Sequence, residues 1–143
     1  MKTNKRGFTL VEILIVVVIL GILAAIVIPQ FTNASTEAKE SSLAADLQTM
    51  RSQIELYKIQ HSDQAPDSTS SATFASALLV ADANGFGPYM GKIPTNPFVL
   101  SVAGSAADAN DISIDGALDN GYGWNYDTTA KVFKANDTAH STK

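Results

Sequence analysis

Residues 5–29 read KRGFTLVEILIVVVILGILAAIVIP, and within them Ile13–Ile28 is an unbroken run of 16 apolar or glycine residues. At 1.5 Å per helical residue, the 21 residues from Phe8 to Ile28 make a rod of about 31 Å, enough to cross the hydrocarbon layer of a bilayer. Lys2, Lys5 and Arg6 stand immediately upstream with no acid among them. By the positive-inside tendency they hold the N-terminal end in the cytoplasm and send everything after Pro29 across the membrane. An ordinary secretory signal, cleaved near Ala24 and Ala25, is the competing reading of the same run. Against it, the run passes straight into an amphipathic helical pattern and carries an acid, Glu12, near its cytoplasmic end.

A carboxylate costs about 2.5–3.5 kcal/mol at the centre of a membrane helix and less near the edge, so Glu12 needs either water or a partner. It can snorkel to the headgroups. Alternatively, a cut between Gly7 and Phe8 would create an α-amine one helical turn away, and the Glu12 of a neighbouring, axially shifted copy could reach that amine. Such pairing would set the register between copies. Further along, Gly21 lowers helix propensity by about 1 kcal/mol, and Pro29 removes the hydrogen bond to the Ala25 carbonyl. The stretch between them is a natural weak point of the helix, or a simple kink.

After Pro29 the apolar positions become Leu43, Leu47, Met50, Ile54 and Tyr57, with Glu40, Asp46, Arg51, Glu55 and Lys58 on other faces. This period near 3.6 continues the helix to about Gln60, giving roughly 80 Å from Phe8. The stripe packs under a sheet of the same chain or, less economically, against another protein as a coiled coil. His61–Ser71 reads as a loop, followed by a short helix to about Val80 capped by Ser71 or Thr73. GFGPYMGKIPTNPF, residues 85–98, is dense in turn formers, with Tyr89, Ile93 and Phe98 as anchors. Strands are predicted at Phe98–Ala103 and Asp111–Asp115. Tyr122–Tyr126 and Lys131–Ala135 flank the polar turn Asp127–Ala130 as a hairpin. Asn136–Lys143 is expected to be a mobile polar tail, and His61 and His140 to be solvated.

The whole chain has 143 residues, 10 basic and 14 acidic, for a net charge of −4. That length suits one modest exported head beside one membrane segment. Loss of residues 1–7 would remove three cations and leave −7, a balance that excludes binding to nucleic-acid phosphates. With no cysteine there is no disulfide, thiol nucleophile or thiolate metal site. No phosphate loop or nucleophile–base pair is present, so no enzymatic activity is expected. Asp108, Asn110, Asp111, Asp115, Asp119 and Asn120 offer hard oxygen ligands for calcium, though their spacing departs from the EF-hand loop, and a solvated acidic loop has the same composition.

The string KRGFTLVEILIVVVILGILAAIVIP resembles the N-terminal signal of type IV pilins and type II secretion pseudopilins, and the resemblance covers residues 1 to about 60. PYMGKIPTNPF is more loosely similar to the linker before the sheet in G-type major pseudopilins and non-disulfide pilins. The resemblance implies an α+β fold, a long N-terminal helix packed on a small antiparallel sheet. Its divisions would be a removed basic leader (1–7), a transmembrane and polymerisation helix (8–33), an amphipathic helix (34–61) and an exported head (62–143). It further implies cleavage after Gly7 by a prepilin peptidase, N-methylation of Phe8, and Glu12 as the residue that neutralises the new amine during assembly. The partners implied are copies of the chain in a helical filament, the inner-membrane assembly platform, and minor pilins or pseudopilins. G-type pseudopilins bind calcium in loops near the sheet, but their ligand pattern does not align here residue by residue. The missing C-terminal cysteine pair departs from many surface pilins and tilts the choice slightly towards a secretion pseudopilus. The reading from another class is a membrane-tethered monomer whose head binds a ligand.

Overall fold

The computed structural model describes residues 7–99, 110–116 and 121–142. Its elements are α1 (Leu10–Gln60), α2 (Ser71–Leu79), β1 (Ile112–Ile114), β2 (Trp124–Asp127) and β3 (Val132–Ala135). This is an α+β arrangement, with a long N-terminal helix packed on a small three-stranded sheet. Two compact units divide the chain, residues 1–38 and residues 39–143.

In the first unit, α1 is a bare helix. Every residue from Gly7 to Ser42 is exposed, and the large apolar side chains from Leu10 to Ile28 keep between half and four fifths of their surface. Among the described residues, α1 is the one helix long and apolar enough to cross a membrane. The helix runs on through Pro29. Just beyond the proline, the Thr32 and Thr36 hydroxyls donate back to the Ile28 and Thr32 carbonyls at 3.1 Å each.

In the second unit, the later turns of α1 bury one stripe, Leu43, Leu47, Met50 and Ile54. The four-three spacing puts these side chains on a single face. They share a core with Phe74 and Leu78 of α2, Ile93 of the following loop, Ile112 of β1, Trp124 and Tyr126 of β2, and Phe133 and Ala135 of β3. Aromatic rings fill its centre: Phe74 lies 4.7 Å from Tyr126, and Trp124 lies 5.5 Å from Phe133. These offset arrangements suit the ring quadrupoles.

The cap of α2 is Ser70, one residue before Ser71 and three before Thr73, the two expected positions. Its hydroxyl accepts from Thr73 N at 3.2 Å, while Thr73 Oγ1 accepts from Ser70 N at 3.0 Å, a reciprocal capping box in which Thr takes the place of the usual Glu. In the turn-rich segment, Gly87 sits at φ +84°, and a Cβ there would press on the Tyr89 ring and the Val80 carbonyl. That glycine lets Tyr89 N and Met90 N fold back to donate to Leu78 O.

The hairpin forms as its sequence predicts, with Trp124 opposite Ala135 and Tyr126 opposite Phe133. Asp127 Oδ1 organises its turn by accepting from Thr129 N and Ala130 N at 3.0 and 2.8 Å. The sheet is mixed rather than wholly antiparallel, because β1 runs parallel to β2. A three-residue strand carries too little alternation to reveal its direction. Of the expected strand Phe98–Ala103, Phe98 and Val99 lie in a turn, and the remainder falls outside the described residues. Both sheet edges are covered by side chains. Arg51 Nε donates 2.9 Å to Phe133 O on β3, and Ser71 Oγ accepts from Ile112 N of β1 at 3.4 Å.

Candidate functional site

The N-terminal end of α1 is built by Thr9 and Glu12. Thr9 is the N-cap, and its Oγ1 accepts from Glu12 N at 3.2 Å. In return, Glu12 Oε2 accepts from Thr9 N at 2.7 Å and from Thr9 Oγ1 at 2.8 Å. This is a complete capping box, and it places a carboxylate where the helix dipole favours negative charge. One hydroxyl can serve both bonds, since it carries one proton and two lone pairs. Oε1 of Glu12 has no hydrogen-bond partner among the described residues. Gly7 and Phe8 lie just before the cap and line one open hollow with Thr9 and Glu12. Phe8 is 84% exposed, and no atom lies within 4 Å of where a Gly7 Cβ would stand. A Thr-x-x-Glu spacing ahead of an apolar run is a capping signal, so Thr9 was legible as a partner of Glu12.

Gly21 and Pro29 belong to the same helix but lie one to two tens of residues from this cluster and do not join it. A methyl group at Gly21 would meet nothing within 4 Å.

Among the described residues, the acidic side chains near the sheet do not converge. Asp111 and Asp115 flank β1 at opposite ends. Asp115 Oδ1 accepts from Thr128 N at 2.7 Å and its Oδ2 from the Thr128 hydroxyl, so both oxygens clamp the start of the hairpin turn. Those bonds, the hydroxyl's first and the amide's second, hold the Asp115 carboxyl below the usual carboxylate range. Asp111 lines a shallow groove with Asn110, Ser71 and Lys92. Asp108, Asp119 and Asn120 lie outside the described residues. Among the described residues, no three His, Cys, Asp or Glu side chains gather to hold a metal ion.

Both histidines depart from expectation. His61 stacks on Tyr57 with ring centroids 3.9 Å apart, takes Tyr57 O at 2.9 Å through Nδ1, and meets Asp82 Oδ2 at 3.1 Å through Nε2. His140 is buried, its Nδ1 2.5 Å from Asp137 Oδ1 and its ring stacked 4.1 Å from Phe98. Asp137 also accepts from Ala139 N, from His140 N and from the side chain of fully buried Asn96, which in turn donates 2.8 Å to Gly123 O. The stretch expected to be a mobile tail is therefore clasped to the 94–99 loop through residue 140. Polar composition suggested solvent, but polar groups bury readily once they satisfy one another.

Residues 2–28 match the family model described as the prokaryotic N-terminal methylation motif. The chain is 39% identical over 62 residues to the type II secretion system core protein G of Dickeya chrysanthemi, covering 43% of this chain and 40% of that protein. Against the core protein G of Pseudomonas aeruginosa it is 40% identical over 60 residues, 42% of each chain. It is also 47% identical over 55 residues to the type IV major fimbrial protein FimA of Dichelobacter nodosus, covering 38% of this chain and 35% of that protein. The chain thus spans about two fifths of the length of the relatives it matches. No solved structure matches it.

Proposed function

We infer that this chain, whose N-terminal segment is that of the type IV pilins and type II secretion pseudopilins, is a structural subunit that polymerises into a helical filament. The filament is either a type II secretion pseudopilus or a type IV pilus. One observation carries the reading: the apolar helix from Leu10 to Ile28 finds no cover among the described residues, yet begins at a carboxylate fixed by a capping box. The precursor sits in the inner membrane with residues 1–7 in the cytoplasm and the head exported. A prepilin peptidase cuts between Gly7 and Phe8 and the new amine is methylated; the chain is the substrate of that chemistry and performs none itself.

Leaving the bilayer uncovers about twenty apolar side chains, each square ångström of which costs about 25 cal/mol in water. Extraction is feasible when neighbouring helices cover that surface as lipid leaves it, which is the task of an assembly platform and of minor pilins or pseudopilins. The held Glu12 then offers Oε1 to the Phe8 amine of an adjacent copy while Oε2 stays on Thr9. Gly21 and Pro29 mark the stretch that loosens as helices pack; strong amide protection across 22–28 in assembled filaments would exclude this.

Two measurements test the function. N-terminal sequencing of protein extracted from membranes with active prepilin peptidase should begin at methylated Phe8; retained Met1 argues for a tethered monomer instead. Glu12→Leu should insert normally and keep its thermal melt, yet yield no filaments. Normal filaments from that variant remove the role given to Glu12.

A further inference from the structure

A groove runs between the end of α1 and α2, lined by Tyr57, Asp67, Thr73, Val80 and Asp82 among others, with a volume of about 310 Å3. Its walls include the Tyr57 ring and Val80, which is 59% exposed. Two carboxylates stand on it, and no lysine or arginine is among its lining residues. Burial first, then the charges of Asp82 and Asp67, push the Tyr57 phenol upward, so both acids are felt at the ring. Asp82 is satisfied at home by Asn84, Phe86 and His61. Asp67 spends Oδ1 on Thr69 N and has no partner for Oδ2 among the described residues.

The complement lies on the hairpin. Lys131 stands exposed at the tip between β2 and β3, with φ +54°, and its ammonium has no partner among the described residues. Beside it, Val132 keeps 43% of its surface. Among the other exposed head lysines described, Lys92 lies in the field of Asp46, and Lys39 has no exposed large apolar side chain within a turn of it. The tip therefore carries a cation next to an apolar side chain, and the groove carries a carboxylate next to an apolar side chain. No residue is shared between them.

We propose that the Lys131–Val132 tip of one copy docks in the Asp67–Val80 groove of the next, forming the head-to-head contact of the filament. Two different patches in complement make a heterologous contact, which repeats along a helix instead of closing into a dimer. The contact rests on the filament reading and adds to it the surface that sets how successive heads are rotated.

The chain contains no cysteine, so introduced thiols report cleanly. Val80→Cys/Val132→Cys, in the full-length chain assembled in its host and treated with a short bis-maleimide, should give a ladder of dimers, trimers and higher species. Each single variant should give no ladder. Lys131→Asp should lower filament yield about two- to fivefold, the scale of one exposed ion pair per contact, and Asp67→Lys/Lys131→Asp should restore it. Filaments with neither ladder nor charge dependence overturn the contact and leave the filament reading standing. A wild-type chain found only as monomers overturns both.

Discussion

Two stretches of α1 share one backbone and differ in everything that surrounds them. Between Leu10 and Ile28 nearly every residue is apolar and none is covered; between Leu43 and Ile54 a large apolar residue comes only every three or four positions, and each of those is buried. The first stretch is greasy on all sides, the pattern of a helix whose neighbours would come from every direction. The second is greasy on one side because its partner is a small sheet of its own chain. Pattern width, rather than hydrophobicity, tells which neighbour a helix expects.

Paired substitutions sharpen that contrast. Leu47→Ala should destabilise the head by about 2–5 kcal/mol, whereas Leu20→Ala, which removes the same atoms, should leave the detergent-solubilised melt unchanged. Equal losses at the two positions would mean that the N-terminal stretch is covered by its own chain after all. A smaller effect is expected at the clasp. Asp137→Ala leaves Asn96, His140 and two backbone amides without their acceptor and should cost about 1–3 kcal/mol, with faster hydrogen exchange confined to residues 137–142. Unchanged exchange there would make the clasp an ornament of the core. Ser70→Ala removes the α2 cap, for about 1 kcal/mol by chemical denaturation.

The smallest effect is a pH dependence. Because Thr128 holds the Asp115 carboxyl below its ordinary value, the unfolded chain binds that proton more readily than the folded one. The bond therefore stabilises the head above about pH 4, and its contribution is lost as the pH falls through the depressed value. Thr128→Ala should narrow the drop in melting temperature between about pH 5 and pH 2. An unaltered drop would show that Asp115 titrates alike in both states.

Local signals carried most of this fold in the sequence. The 16-residue apolar run, the four-three stripe and the hairpin around Asp127–Ala130 each state their own structure within a few residues, and Gly7, Phe8 and Glu12 stand together because a motif is a local object. What stayed hidden depends on partners far along the chain. Asn96 and Asp137 are 41 residues apart, His61 and Asp82 are 21 apart, and the direction of β1 is decided by a pairing with β2 that three residues cannot announce. His140 read as solvent-exposed because its neighbours are polar. Nothing nearby in sequence revealed that Phe98 would supply the other wall.

The clasp has a consequence for how the head matures. Closing residues 136–140 onto the 94–99 loop uses only a carboxylate, an imidazole, an amide and a ring. Closing this end of the head therefore takes no oxidant and no thiol-exchange catalyst, and it is reversible without breaking a covalent bond.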